Sequence, residues 1–208
     1  IQPRDLRSLQ CIILLAQYYL LCPYKAPGYY IAGLATKLCQ QLNIVDEQTI
    51  ASGVDEQTLD MRRRLAWVTV NNELGLAYIT GRPNGFSKSH DAINLKYFEN
   101  VADENITEDG VKSGPACVRK LVAIHFCKMT LLQAEIRRVL YEQTMPNVNS
   151  EEHSWVAKME KKLEDWRNSS PEKAEPWCKS LYVFRTLTLF SVLPLTRDFL
   201  GSLSTSTT

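Results

Sequence analysis

Strong charge of either sign is missing from this 208-residue chain, in which 24 Lys and Arg stand against 23 Asp and Glu for a formal net charge of +1. That balance removes the broad electrostatic attraction by which basic domains hold nucleic acid or anionic membranes. Long apolar runs are missing too. The longest, residues 11–22 and 181–195, fall short of the roughly 20 residues that a spanning helix needs, and Arg185 interrupts the second. No pair of the six cysteines (Cys11, Cys22, Cys39, Cys117, Cys127, Cys178) has Cys-x-x-Cys spacing, which excludes a zinc knuckle and a thioredoxin-like motif. Most of them lie in apolar segments, where a free thiol behaves as a small hydrophobe, so a disulfide framework is the weaker reading. The first ten residues lack the pattern of a signal peptide. The chain opens at Ile1 without Met and reads as a piece of a larger protein. What is present is ordinary globular usage, 45% hydrophobic and 23% charged, enough for one soluble domain with a real core.

Catalytic motifs are equally scarce. There is no Gly-x-Ser-x-Gly elbow, no phosphate-binding Gly-rich loop, no His-Glu-x-x-His and no Gly-x-Gly-x-x-Gly. Ser170-Pro171-Glu172-Lys173 matches Ser-x-x-Lys but falls in a turn without companion motifs. Cys117, His125 and Cys127 share one predicted helix, yet at 100° per residue Cys127 lies off the face of the other two, so no metal site is expected. His90 and His153 sit in polar surroundings and read as surface residues. The carboxylate pairs Asp103-Glu104 and Glu108-Asp109 fall in loops, and Glu151-Glu152 suits the first turn of a helix through the helix dipole. No catalytic residue, no metal ligand and no cofactor is assigned in this chain, and it is not expected to be an enzyme.

The dominant period is helical, with no alternating run longer than about five residues and no internal repeat. Residues 4–22 have almost no polar face and predict a buried helix that Pro23 ends. Pro27-Gly28 opens a second over 28–42, with Ile31, Leu34, Ala35, Leu38 and Leu42 on one stripe, packed on the first as a hairpin. A loop over 43–55 precedes a long helix over 55–80 with Leu65, Val68, Leu76 and Ile79 inward, closed by Gly81-Arg82-Pro83. Residues 81–114 lack a period and form a long irregular segment. Gly114-Pro115 opens a fourth helix to about Gln143, carrying Leu121, Val122, Met129, Leu132, Ile136, Val139 and Leu140. Ser150 caps a fifth over 151–168, striped with Val156, Met159, Leu163 and Trp166. The sixth, 177–200, is kinked at Pro194, and a Ser/Thr tail follows. The expectation is an all-α domain over 1–201 with about six main helices, and a disordered tail over 202–208.

One constellation stands out. Arg62, Arg63 and Arg64 are consecutive on the long helix and spread over roughly 200° of its surface, so they cannot make one flat patch. At least one must turn inward, toward a helix C-terminus or a carboxylate such as Asp60, because an unpaired buried guanidinium is very costly. A structural ion-pair network is the main reading, and anion or partner binding the rival.

Arg62-Arg63-Arg64-Leu65-Ala66-Trp67, then Glu73, then Gly81-Arg82-Pro83, resembles the middle homology region of fungal zinc-cluster transcription factors. Gly33-Leu34-Ala35 through Leu42-Asn43-Ile44, Ile93-Asn94-Leu95 through Asp103, Leu163-Glu164-Asp165-Trp166-Arg167 before Pro171, and Thr196-Arg197-Asp198-Phe199-Leu200 extend the resemblance over about residues 9–200. Ala66, Leu74, Asn94 and Asp198 depart from the pattern. Leu74 stands where an Arg commonly follows the acidic residue, which leaves Glu73 without that near partner. The resemblance implies an all-helical, nuclear regulatory domain lying C-terminal to a DNA-binding zinc cluster, so zinc belongs to that missing cluster and this piece binds no DNA by itself. It implies response to a small-molecule effector, a coregulator or a homodimer partner, and the rival on the same fold is a ligand-free dimerisation or assembly scaffold. Helical domains hold ligands between helices. The candidate pocket residues are Tyr19, Tyr30, Trp67, Asn71 and Asn72, with Tyr18, Tyr29 and Glu73 nearby.

Overall fold

The computed structural model describes residues 5–22, 28–86, 93–139 and 151–171. The predicted last helix with Pro194, the tail, Pro23, His90 and Cys178 lie outside the described residues. The all-α expectation holds: six helices carry the chain, and the sheet is one two-stranded hairpin among the described residues. The chain divides into two compact units, residues 1–120 and 121–208.

In the first unit, α1 (Leu6–Leu21) and α2 (Gly28–Gln41) pack on each other and on the long α4 (Glu56–Thr80). Each start has a local cause. Asp5 caps α1 by accepting from Ser8 N at 2.8 Å, and Asp55 caps α4 by accepting from Thr58 N at 2.8 Å and Thr58 Oγ1 at 2.7 Å. Gly81 ends α4 in the left-handed region at φ 67°, which a side chain would strain. The loop expected over 43–55 instead contains a one-turn helix, α3 (Glu47–Ile50), because Asp46 accepts from both Gln48 N and Thr49 N.

Three core stripes need correction. The first helix is not buried all round: Leu9, Ile13 and Ala16 face the core, while Cys11, Leu14, Leu15 and Tyr18 are exposed. On α4 the buried stripe runs Leu59, Arg63, Ala66, Val70, Glu73 and Ala77, and Ile79 is 77% exposed. Hydropathy alone misplaces that stripe, because two of its members are charged. On α2, likewise, Thr36 and Cys39 are inside and Leu34 is outside.

The irregular stretch after α4 lies across it through Leu95, Phe98, Val101 and Ile106, all buried. It includes a short hairpin, β1 (Ile106–Thr107) with β2 (Gly110–Val111), which packs on α4. α5 (Val118–Arg137) begins after Cys117 and not at Pro115, so Cys117 is not on that helix. In the second unit, Met129 and Ile136 of α5 form a core with Met159, Leu163 and Trp166 of α6 (Glu151–Asn168). His125 is buried there, stacked on Trp166 with ring centroids 4.5 Å apart, and its backbone carbonyl accepts from Trp166 Nε1 at 2.9 Å. Burial and the Lys128 charge push the His125 pKa down to about 4.

Candidate functional site

The three arginines of α4 part from one another and fasten two other segments, α3 and the turn at Asp103. Arg62 Nη1 donates to the Ile50 carbonyl at the end of α3, at 3.1 Å. Arg63, itself buried, pairs with Glu47 at the start of α3. Arg64 Nη2 lies 2.5 Å from Asp60 Oδ2, one turn back, and 2.6 Å from Asp103 Oδ1. Asp103 also takes Lys120 Nζ at 2.7 Å.

The same carboxylates hold the backbone of residues 94–100 along α4. Glu47 Oε2 accepts from Lys96 N at 2.9 Å, and Asp60 Oδ1 accepts from Glu99 N at 2.7 Å. Glu47 N donates to the Asn94 carbonyl at 2.8 Å, and Cys117 N to the Asn100 carbonyl at 2.6 Å. Trp67 stacks on Tyr97 with centroids 5.0 Å apart and donates through Nε1 to the Lys96 carbonyl at 2.9 Å. This segment is thus a strap whose Lys96 and Glu99 amides end on the half-buried Glu47 and the buried Asp60 carboxylates. Electrostatics follow the geometry. Burial pushes the Glu47 carboxyl up, but the Arg63 hydrogen bond and charge with the Lys96 amide outweigh it and leave it lowered. Hydrogen bonds from Arg64 and Lys120 bring Asp103 down to about 2. Arg64 is raised in turn, its two carboxylates outweighing burial.

A second fastening lies near the other end of α4. Glu73 is 2% exposed and has no cationic partner among the described residues. Its carboxylate accepts from Thr36 Oγ1 of α2 at 3.1 Å and from Gly85 N, just past Gly81-Arg82-Pro83, at 2.8 Å. The Arg82 guanidinium lies 4.9 Å over the Tyr29 ring, and the Tyr29 hydroxyl donates to the Pro83 carbonyl at 3.1 Å. Gln40 Nε2 donates to the Gly85 carbonyl at 3.1 Å. Gly85 has no room for a side chain: a Cβ would meet Thr36 Cγ2 at 2.9 Å.

The candidate pocket residues lie on three helices, Tyr19 on α1, Tyr30 on α2 and Trp67, Asn71 and Asn72 on α4. That indole is 1% exposed and closed over by Tyr97, whereas Tyr30 is 69% exposed. Tyr19 is half-buried on α1 in edge contact with Tyr18, and Asn72 accepts from Gln17 Nε2 of α1 at 2.9 Å. Asn71 is half-buried beside it on α4. Sequence reasoning missed Glu47, Asp103, Thr36 and Gly85, which carry the fastenings. Asp103, read as a loop carboxylate, Glu47, inside the segment read as a loop, and Thr36 on an apolar stripe left no signal short of the fold.

The five cysteines among the described residues carry free thiols. Cys11 is exposed, Cys39 and Cys127 are buried in different units, and no group of three or more His, Cys, Asp or Glu side chains suits a metal among the described residues. Burial pushes the Cys39 thiol up to about 12, so it stays protonated. No helix among the described residues is long and apolar enough to cross a membrane.

An all-helical domain in which one long helix secures two following segments through Arg and Glu is the class that fold and site define. The chain belongs to the fungal specific transcription factor domain family, whose profile matches residues 1–168. It is 27% identical over 226 positions to a "Positive regulator of purine utilization" of Emericella nidulans, covering 82% of this chain and 21% of that protein. It is 25% identical over 170 positions to "Pyrimidine pathway regulatory protein 1" of Saccharomyces cerevisiae, covering 77% and 18%. An "ABC-transporter-regulating transcription factor" of Aspergillus fumigatus is 18% identical, with 83% and 19% covered. The chain spans about a fifth of the length of these curated relatives. No solved structure matches.

Proposed function

We propose that residues 1–201 are the regulatory domain of a nuclear fungal transcription factor, acting without catalysis and answering to a small-molecule effector or a coregulator. The DNA-reading cluster and its zinc belong to a part of the protein outside this chain. The observation that carries the division of labour is the fate of the one basic run. Arg62, Arg63 and Arg64 end on a carbonyl and three carboxylates of their own fold, so they are not available to phosphates. The relatives named for purine utilization, the pyrimidine pathway and transporter regulation suggest metabolite or xenobiotic control. An effector acts only if it binds one arrangement of the helices more tightly than another.

The test places the 208-residue chain between a heterologous DNA-binding domain and an activation domain, over a reporter in yeast. Repression by the inserted chain, relieved or deepened by a purine, a pyrimidine or a xenobiotic, is the expected result. A reporter indifferent to the insertion under every supplement overturns the proposal. So does tight, salt-sensitive gel-shift binding by the isolated chain.

A further inference from the structure

Ser170-Pro171-Glu172-Lys173 has no companions as a nucleophile motif, but Ser170-Pro171 is the one Ser/Thr-Pro step among the nine prolines of the chain. α6 stops just before it, at Asn168, and Ser170 lies outside any helix or strand. The cause is local. The Pro171 ring clashes with a helical residue before it and pushes Ser170 toward extended backbone. Pro171 also brings no amide N–H. The two serines differ in what their hydroxyls do. Ser169 Oγ donates to the Trp166 carbonyl at 2.9 Å, one of the open acceptors at the end of α6. Ser170 N donates to the Arg167 carbonyl at 3.3 Å, but its hydroxyl has no hydrogen-bond partner among the described residues. Arg167, Asn168 and Ser169 are exposed, and Ser170 and Pro171 are half-buried.

We propose that Ser170 is a phosphorylation site for a proline-directed Ser/Thr kinase, and that the phosphate loosens the end of α6. Three features fit that class of modifying enzyme. A kinase takes its substrate as an extended segment, and Pro171 pre-sets Ser170 for it at low entropic cost. A pocket that offers no acceptor to the residue after the serine leaves an ordinary amide unpaired, and takes proline without that penalty. Lys173, three residues on in the sequence, supplies a cation for an acidic subsite. In the step itself, Ser170 Oγ attacks the γ-phosphorus of ATP and forms the new O–P bond. The bond from that phosphorus to the bridging oxygen breaks, ADP leaves, and the hydroxyl proton passes to the catalytic aspartate of the kinase. The product places about −1.5 to −2 charges at the negative end of the α6 dipole. Arg167 is the basic residue of that last turn, and Asp165 in the same turn offsets it. Repulsion falls on the Asp165, Trp166 and Arg167 carbonyls, which Ser169 and Ser170 hold. Trp166 is buried and its Nε1 holds the His125 carbonyl, so a looser turn is felt in α5. This control is covalent and stands apart from effector response, and either can fail without the other.

The test incubates the folded 208-residue chain with a cyclin-dependent Ser/Thr kinase and ATP, and maps the product by mass spectrometry. The expected result is a phosphate on Ser170 that Ser170→Ala abolishes. Pro171→Ala and Lys173→Ala should each lower kcat/KM for the transfer by about tenfold or more. A synthetic peptide over residues 165–176 with the same substitutions gives that ranking independently of folding. In the phosphorylated chain the Ser169 and Ser170 amides should exchange faster and the urea midpoint should fall. Ser170→Ala treated in the same way should show neither change. A peptide that takes phosphate while the folded chain does not overturns the proposal, as does a rate unmoved by Pro171→Ala. Phosphate on Ser170 that leaves both amides protected overturns the loosening of α6.

Discussion

Arg64 is held by two carboxylates of opposite exposure, and that makes a decisive comparison. Asp60 is 2% exposed and accepts from the Glu99 amide as well, whereas Asp103 is 70% exposed at the side chain and shares its charge with Lys120. Removing one partner from a buried pair costs about 3–5 kcal/mol, because the group left behind is desolvated and unpaired. Arg64 keeps Asp103 in the Asp60→Ala variant, which pulls the cost to the lower end. The Glu99 amide, though, loses an acceptor that its surroundings do not replace. We expect about 3 kcal/mol for Asp60→Ala. An exposed ion pair contributes about 0.2–1 kcal/mol, so Asp103→Ala should cost less than about 1 kcal/mol. For a domain of this size each kcal/mol moves Tm by about 2–4 °C, which puts the two variants several degrees apart. Thermal unfolding gives the global number. Amide hydrogen exchange gives the local one: Glu99 should lose protection in Asp60→Ala and keep it in Asp103→Ala. If Asp103→Ala costs as much as Asp60→Ala, burial does not rank these contacts and the account of the strap is wrong.

Gly85→Ala should destabilise by about 1–3 kcal/mol through the clash with Thr36 Cγ2, and Thr36→Ser, which keeps the hydroxyl on Glu73 and removes that methyl, should recover part of the loss in a double-mutant cycle read by urea unfolding. Gly81→Ala should cost about 1 kcal/mol, since its left-handed φ of 67° is poorly adopted by a side chain, with thermal unfolding as the check. Acid should weaken the second unit before the strap. The His125 pKa is depressed to about 4 from 6.5, so the unfolded chain binds the proton first and stability falls as pH drops from about 6.5 to about 4. Asp103, at about 2, contributes above the ordinary Asp value, and loses its contribution as pH falls from about 4 to about 2. A His125→Phe variant keeps a ring against Trp166 and should flatten the upper acid limb in pH-dependent urea titrations, leaving the lower limb in place.

The helices were legible because their signals are local. Pro27-Gly28 at the start of α2 and Gly81 before Pro83 mark ends that the backbone itself needs, whereas the caps Asp5 and Asp55 emerged only with the fold. The inward turn of the arginine run was legible for a similar reason, since three consecutive residues on a helix cannot share one face. What each guanidinium meets was not. Glu47 lies 16 residues before Arg63, and Asp103 39 residues after Arg64, at separations that no spacing rule reaches. The phase of α4 was misread for a connected reason. Placing Arg63 and Glu73 inside requires knowing that Glu47, Thr36 and Gly85 are waiting there, and those partners come from other elements.

The resemblance motif gains a physical meaning from this arrangement. Its Arg end and its Glu end lie on one helix, and each closes a different segment onto α4: the arginines hold α3 and the strap, and Glu73 holds the turn after Gly81-Arg82-Pro83 to α2. Both closures rest on charge-assisted bonds with a buried carboxylate at their centre, Asp60 in one and Glu73 in the other, and such bonds lose much of their strength if a partner is displaced. A ligand or partner that displaces the Gly85 amide from Glu73 would therefore leave a carboxylate buried with Thr36 as its remaining donor, and the α2–α4 contact would have to adjust. Glu73→Gln offers a direct measure of that linkage. Its amide oxygen can still accept from one donor, so the fold should survive. The segment after Gly81-Arg82-Pro83 should then exchange its Gly85 amide faster, while the Lys96 and Glu99 amides of the strap stay protected. Equal loss of protection at all three amides would show that the two fastenings act as one, and that α4 does not hold them independently.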